Sequence, residues 1–167
     1  MSRSYGSTPT RILVVANETV ASDILHVAVR AQVHDEHSSQ VLVVAPALNS
    51  RLRYWLSDDD AARRAAENRL ETCLDRLGSA GLDVEGVVGD ADPIQAIDDA
   101  LRAFPADCIV VATHPEGRSN WLARNLVGRA SARFALPMLH IVVDAESARE
   151  TLAESPRHAD RVVTVAA

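Results

Sequence analysis

The sequence predicts one α/β domain, a doubly wound parallel sheet with helices on both faces. Five short runs of apolar and β-branched residues recur along the chain, and four stretches of helical periodicity separate them. The runs are nearly continuous rather than alternating, as in Ile12-Leu13-Val14-Val15 and Cys108-Ile109-Val110-Val111. Strands of that kind are buried on both faces, the condition of a parallel sheet. The connections are short, and strand–helix alternation with short connections builds right-handed βαβ units. A chain of 167 residues with 47 % hydrophobic residues suits one domain with a real core.

The first run, 11–16, precedes a helix that Thr19 or Ser22 can cap, with Val20, Ile24, Val27, Ala28 and Ala31 as its stripe. The second run, 40–45, leads to a long helix. Ser57 and the acids Asp58, Asp59 and Asp60 mark its start, where negative charge opposes the helix dipole. Ala66, Leu70, Cys73, Leu74 and Leu77 form its stripe, and Gly78 and Gly81 end it. The third run, 83–88, reaches Asp92, which caps a third helix with Pro93 in its first turn. Ile94, Ile97, Ala100, Leu101 and Phe104 form that stripe. The fourth run, 107–113, is followed by a helix opened by Ser119 or Asn120 and finished before Leu136-Pro137. The fifth runs from Met138 to Asp144, and an apolar strand is expected there at the sheet edge. The domain therefore spans 11–144, after a flexible segment 1–10. The tail 145–167 is polar to Pro156 and regains a β-like pattern at 161–167, an added edge strand.

Composition excludes several function classes. The net charge of −6 argues against a broad basic surface for nucleic acid. No apolar run approaches the roughly 20 residues of a membrane span. The polar N-terminus lacks a secretory apolar stretch, so a cytoplasmic chain is expected. Cys73 and Cys108 are not in a C-x-x-C pair and read as small buried hydrophobes. All 17 basic residues are Arg. Phosphate must then be held by backbone N–H groups, hydroxyls or Arg, and lysine chemistry is excluded.

Ligands of open doubly wound sheets bind outside the carboxyl ends of the strands, where the winding reverses. The loop after the fourth run is the richest there: Thr113, His114, Pro115, Glu116, Gly117, Arg118, Ser119, Asn120 and Trp121. Gly117 permits close backbone approach, the helix start offers N–H groups, and Arg118 offers a planar fork for phosphate or carboxylate. An ordinary capped loop with Arg118 in solvent has equal weight on these residues alone. Asn17 and Thr19 follow the first run and can bond a ribose or cap the next helix; capping is the favoured reading. Arg51, Arg53, Tyr54 and Trp55 read as a solvated loop, and the segment from Gly89 to Asp92 as a turn and cap. The six histidines have no metal spacing. No nucleophile elbow is present, and the proximity of His114 to Glu116 does not make an acid–base pair.

Several segments carry a family resemblance. Arg11-Ile12-Leu13-Val14-Val15-Ala16-Asn17-Glu18-Thr19 resembles the opening strand and turn of the universal stress proteins. Val87-Val88-Gly89-Asp90-Ala91-Asp92-Pro93 resembles their third strand and Gly-Asp-Pro turn, the segment from Ala106 to Thr113 their fourth strand, and the segment from Ala135 to Val143 their closing strand. The likeness covers about 11–144 and is to a member of actinobacterial type. The resemblance implies a Rossmann-like, five-stranded parallel sheet in the order 3-2-1-4-5. The family's ATP-binding members carry G-x-x-G-x9-G-[S/T] after the fourth strand. Gly128 fits the last glycine, while Pro115, Arg118 and Arg129 stand at the first glycine, the second glycine and the hydroxyl position. Gly117 is one place from the second glycine, and Asn17 stands where an acidic residue is usual. The motif is thus degenerate. The resemblance implies a regulatory, stress-response domain that binds ATP, another adenine nucleotide or a small anion without efficient catalysis, with no metal of its own. It implies a homodimer formed through the strand from Met138 to Asp144. The alternative is a protein–protein interaction domain whose site has decayed. A nucleotide-dependent transferase or hydrolase is the weakest reading.

Overall fold

In the computed structural model of the chain, strands β1 (Arg11–Ala16), β2 (Gln40–Pro46), β3 (Asp83–Gly89), β4 (Cys108–Thr113) and β5 (Met138–Val142) lie parallel in the order 3-2-1-4-5. Among the described residues the helices are α1 (Asp23–Gln32), α2 (Asp59–Ser79), α3 (Pro93–Ala103) and α4 (Leu126–Arg133). The structure describes residues 10–16, 23–33, 39–47, 59–114, 125–143, 151–154 and 162–166. The α/β, doubly wound architecture is the one the continuous apolar strands predict. Two further strands extend it: β7 (Val162–Ala166) pairs parallel to β5, and β6 (Thr151–Glu154) pairs antiparallel to β7.

Each side chain along β1 alternates between two apolar layers. Ile12, Val14 and Ala16 face a layer closed by Leu25, Ala28 and Val29 of α1 and Ala66, Leu70, Cys73 and Leu77 of α2. Leu13 and Val15 face the opposite layer, closed by Ile94, Ile97 and Ala100 of α3 and Leu126 and Ala130 of α4. The helices that follow β1 and β2 thus cover one face, and those that follow β3 and β4 cover the other. The winding reverses between β1 and β4. Their registers set Ala16 beside Ala112 and leave Thr113 projecting one residue further.

The opposite, amino-terminal edge of the sheet is stitched by polar groups. The Arg11 N–H donates to Asp107 Oδ2 at 2.7 Å, and the Asp107 N–H donates to the Arg11 carbonyl at 2.8 Å. The Arg11 side chain donates from Nε to Gln40 Oε1 at 3.2 Å and lies over the Phe104 ring. Neighbouring strand ends are thereby held in register.

Local signals explain the connections. Asp92 has extended backbone angles, and its side chain accepts from the Ile94 N–H at 3.0 Å, the expected cap before Pro93. Gly81 takes φ of +85°, which stops α2 and turns the chain into β3. Gly89 has a different reason: a Cβ there would come within 2.7 Å of Ala96 Cβ and 2.8 Å of Val44 Cγ1. Only glycine lets α3 pack this closely on β2 and β3.

Two expectations are corrected. Val27 is 62 % exposed and Ala31 is exposed too, whereas Leu25 and Val29 join the expected Ala28 against the sheet. Apolar residues surround most of this helix, so periodicity did not single out a face; the sheet selects the one with the tightest packing. The strand from Met138 to Asp144 is not at the edge, because β7 pairs along it from Met138↔Val162 to Val142↔Ala166. The edge strand β6 lies in a polar stretch without alternation, which gave no strand signal. Ser57 and the opening of the helix at Ser119 or Asn120 lie outside the described residues.

Val14, Val110 and Ile141 are fully buried. Ile141→Ala is expected to cost about 2–5 kcal/mol through lost transfer energy and a cavity. Gly89→Ala should cost about 1–3 kcal/mol through overpacking, since its nearest neighbour is a Cβ that cannot rotate away. Urea denaturation of both variants checks this; a change of a few tenths in either would mean that the β2–β3–α3 or β5 packing is misassigned.

Candidate functional site

The winding reverses at the carboxyl ends of β1 and β4, the place where open doubly wound sheets bind their ligands. Thr113 ends β4 there. Strand alternation turns its side chain toward the α3–α4 layer, where it is buried, and Oγ1 lies 2.8 Å from His140 Nε2 on β5. His140 is also buried, and the two form a polar pair within an otherwise apolar layer. Burial pushes the His140 imidazole down from 6.5 to about 4, because the charged ring loses its hydration. At neutral pH it is the uncharged partner of the Thr113 hydroxyl.

His114 follows and is half-buried. Its Nδ1 lies 3.2 Å from the Val143 carbonyl oxygen. A carbonyl only accepts, so Nδ1 carries the proton in this bond. The Val143 N–H donates to the Thr113 carbonyl at 2.8 Å. Together these bonds fasten the end of β4 to the end of β5.

The chain returns to the described region at Asn125, which has φ of 50° and ψ of 45° and precedes α4. Its carbonyl accepts from the Arg129 N–H at 3.0 Å, but its side chain makes no capping bond. The side-chain amide instead lies over Gly128: a Cβ on that residue would sit 2.6 Å from Asn125 Oδ1 and 2.7 Å from Nδ2. Leu126 and Ala130 are buried, which leaves Gly128 and Arg129 on the exposed side of the first turn. Asp98 of α3 anchors this helix from its other end, receiving Arg102 of its own helix and Arg133 of α4, the latter at 3.2 Å.

Of the residues singled out by sequence, Thr113 and His114 come together at the end of β4, and Gly128 and Arg129 in the first turn of α4. These are the two ends of the connection 115–124. Asn17, Thr19, Gly117, Arg118, Ser119 and Asn120 lie outside the described residues. Two residues escaped the sequence reading. His140 gave one available signal, a titratable residue inside an apolar strand run. Asn125 gave another, an amide three residues before a glycine at a helix start. Among the described residues, no group of three or more His, Cys, Asp or Glu side chains is arranged to hold a metal ion. No helix there is long and apolar enough to cross a membrane.

The burial of His140 has a sign that can be tested. Between pH 6.5 and about 4 the unfolded chain binds a proton at this residue that the folded chain does not. Stability attributable to His140 is therefore intact above pH 6.5 and falls as the pH drops toward about 4. His140→Val should lose this component, so that its stability, measured by urea denaturation from neutral to acid pH, declines less steeply than that of the wild type. Parallel pH profiles would contradict the buried neutral imidazole.

No protein-family model matches the chain, and no curated protein matches it in sequence. Solved structures do match in fold. One is a universal stress protein family protein from Arabidopsis thaliana determined with AMP bound, with TM-score 0.55 and 15 % identity over 83 % of this chain and 94 % of that one. Another is a universal stress protein in complex with cAMP, with TM-score 0.46 and 18 % identity over 83 % of this chain and 100 % of that one. A third is a protein of the same family from Burkholderia pseudomallei, with TM-score 0.48 and 19 % identity over 81 % of this chain and 97 % of that one. With its 3-2-1-4-5 parallel sheet wound in opposite senses from β1 and β4, the chain carries the fold of the universal stress proteins.

Proposed function

We propose that the chain is a universal stress protein that binds an adenine nucleotide, or another small anion, at the carboxyl ends of β1 and β4. It acts as a cytoplasmic regulatory domain in the stress response, without efficient catalysis and without a metal of its own. The observation that carries this reading is the reversal of winding between β1 and β4, in a fold shared with a protein determined with AMP bound. The residues assigned to the ligand are Thr113 and His114 on one side and Gly128 and Arg129 on the other. Arg129 is exposed on the first turn of α4, where a guanidinium can meet phosphate with a charge-assisted bond. Without Lys in the chain, arginine is the only permanently charged side chain available for this task.

A second reading is favoured by one observation. The Asn125 amide covers Gly128, the one glycine that fits the family's nucleotide motif. If it stays there, the site is closed, and the domain works by contact with other proteins.

Titration calorimetry separates the two readings. Binding of AMP, ADP or ATP with Kd below about 1 mM is expected. Arg129→Ala should weaken it at least about tenfold, since a charge-assisted hydrogen bond is worth about 1.5–3 kcal/mol. Gly128→Ala should fold normally, because the Asn125 amide can rotate away and Ala favours the helix, yet bind at least about tenfold more weakly. Sulfate competing with nucleotide would identify an anion site. Absence of binding by all three nucleotides and by sulfate would support the interaction-domain reading.

A further inference from the structure

The hairpin formed by β6 and β7 joins the sheet through β7, which pairs with β5 while β6 pairs with β7. The strand it covers is buried and mostly apolar: Met138, Leu139 and Ile141 are buried together with the polar His140. An uncovered strand of this kind would present unpaired N–H and C=O groups beside apolar side chains, a template for association.

The connection to the hairpin is longer than its position requires. Thr151 stands opposite Ala166, and Ala166 opposite Val142, so Thr151 lies two strands away from the end of β5. Two strand spacings amount to about 10 Å. The chain from Val142 to Thr151 can reach about 30 Å when extended. The main-chain pairing of the hairpin needs only the edge of a β5 strand within that reach, whichever copy supplies it.

We propose that the β6–β7 hairpin is an exchangeable edge cover, which completes the sheet of its own chain or that of a second copy of this chain. In the exchanged form each β7 keeps the register from Met138↔Val162 to Val142↔Ala166, now between two chains. Both forms contain the same pairing, so concentration decides between them. The outermost strand β6 has only 4 residues and ends in Glu154. A short, charged edge resists further pairing, so exchange closes at the dimer. This inference does not rest on nucleotide binding.

The register supplies the test. Full-length Val142→Cys and Ala166→Cys variants are mixed at concentrations from about 1 µM to about 500 µM and oxidised mildly, and the crosslinked peptides are identified by mass spectrometry. Burial holds the native Cys73 and Cys108 thiols up at about 12 and about 11, which keeps them slow to oxidise. A 142–166 crosslink between chains, increasing with concentration, is the expected result. The double variant at low concentration should form the same crosslink within one chain. A mixture that yields no 142–166 crosslink at any concentration overturns the proposal, as does one dominated by 142–142 crosslinks. Hydrogen exchange on the unmodified chain gives an independent reading. Amides of 162–166 should exchange on the order of a hundredfold faster than those of β4; equal protection would overturn the exchange.

Discussion

β1 has no free edge and no solvent-facing side. Val14 pairs with Val43 on one flank and Val110 on the other, and its neighbours along the strand are all within one of two apolar layers. Every other element is placed relative to this strand. The chain leaves it toward β2 and β3 with helices on one face, then re-enters beside it as β4 and moves the other way with helices on the opposite face. Such long-range parallel pairing repays its loop-closure entropy only when both layers are filled. That is why the core residues are so uniformly Ile, Leu, Val and Ala, and why glycine is required where α3 approaches the sheet at Gly89.

The same constraint creates the candidate site. The chain leaves the carboxyl ends of β1 and β4 toward opposite faces of the sheet. Polar groups gather at this point: the Thr113–His140 pair, the His114 bond to the Val143 carbonyl, and the uncapped Asn125 amide over Gly128. The amino-terminal end of the sheet is, by contrast, closed by Arg11, Gln40, Asp107 and Phe104, each satisfied by the others. Polar bonds lock the amino-terminal end of the sheet, and other polar groups gather at its carboxyl end.

Much of this was legible in the sequence because the signals were local. Continuous apolar runs gave β1 through β5 nearly to the residue, and Asp92-Pro93 and Gly81 marked helix boundaries through capping and backbone freedom. Signals that depend on tertiary packing were weaker. The inward face of α1 could not be read from a helix with apolar residues on most sides. The covering of β5 by β7 depends on a pairing across residues distant in sequence, and β6 has no alternation to announce it. At the candidate site, Thr113 and His114 were singled out because they begin the loop after the fourth strand, and Gly128 and Arg129 from the register of the family's glycine motif. His140 was passed over because only the fold shows that its ring enters a buried layer and meets a hydroxyl.

The central claim is that the reversal of winding between β1 and β4 is where this chain meets its ligand. Backbone amide chemical shifts recorded during titration with AMP test it most directly. The account predicts shifts at Thr113, His114, Gly128 and Arg129 that saturate together, with Arg11 and Asp107 unmoved. Saturating shifts confined to the amino-terminal end of the sheet, or to the β6–β7 hairpin, would contradict it.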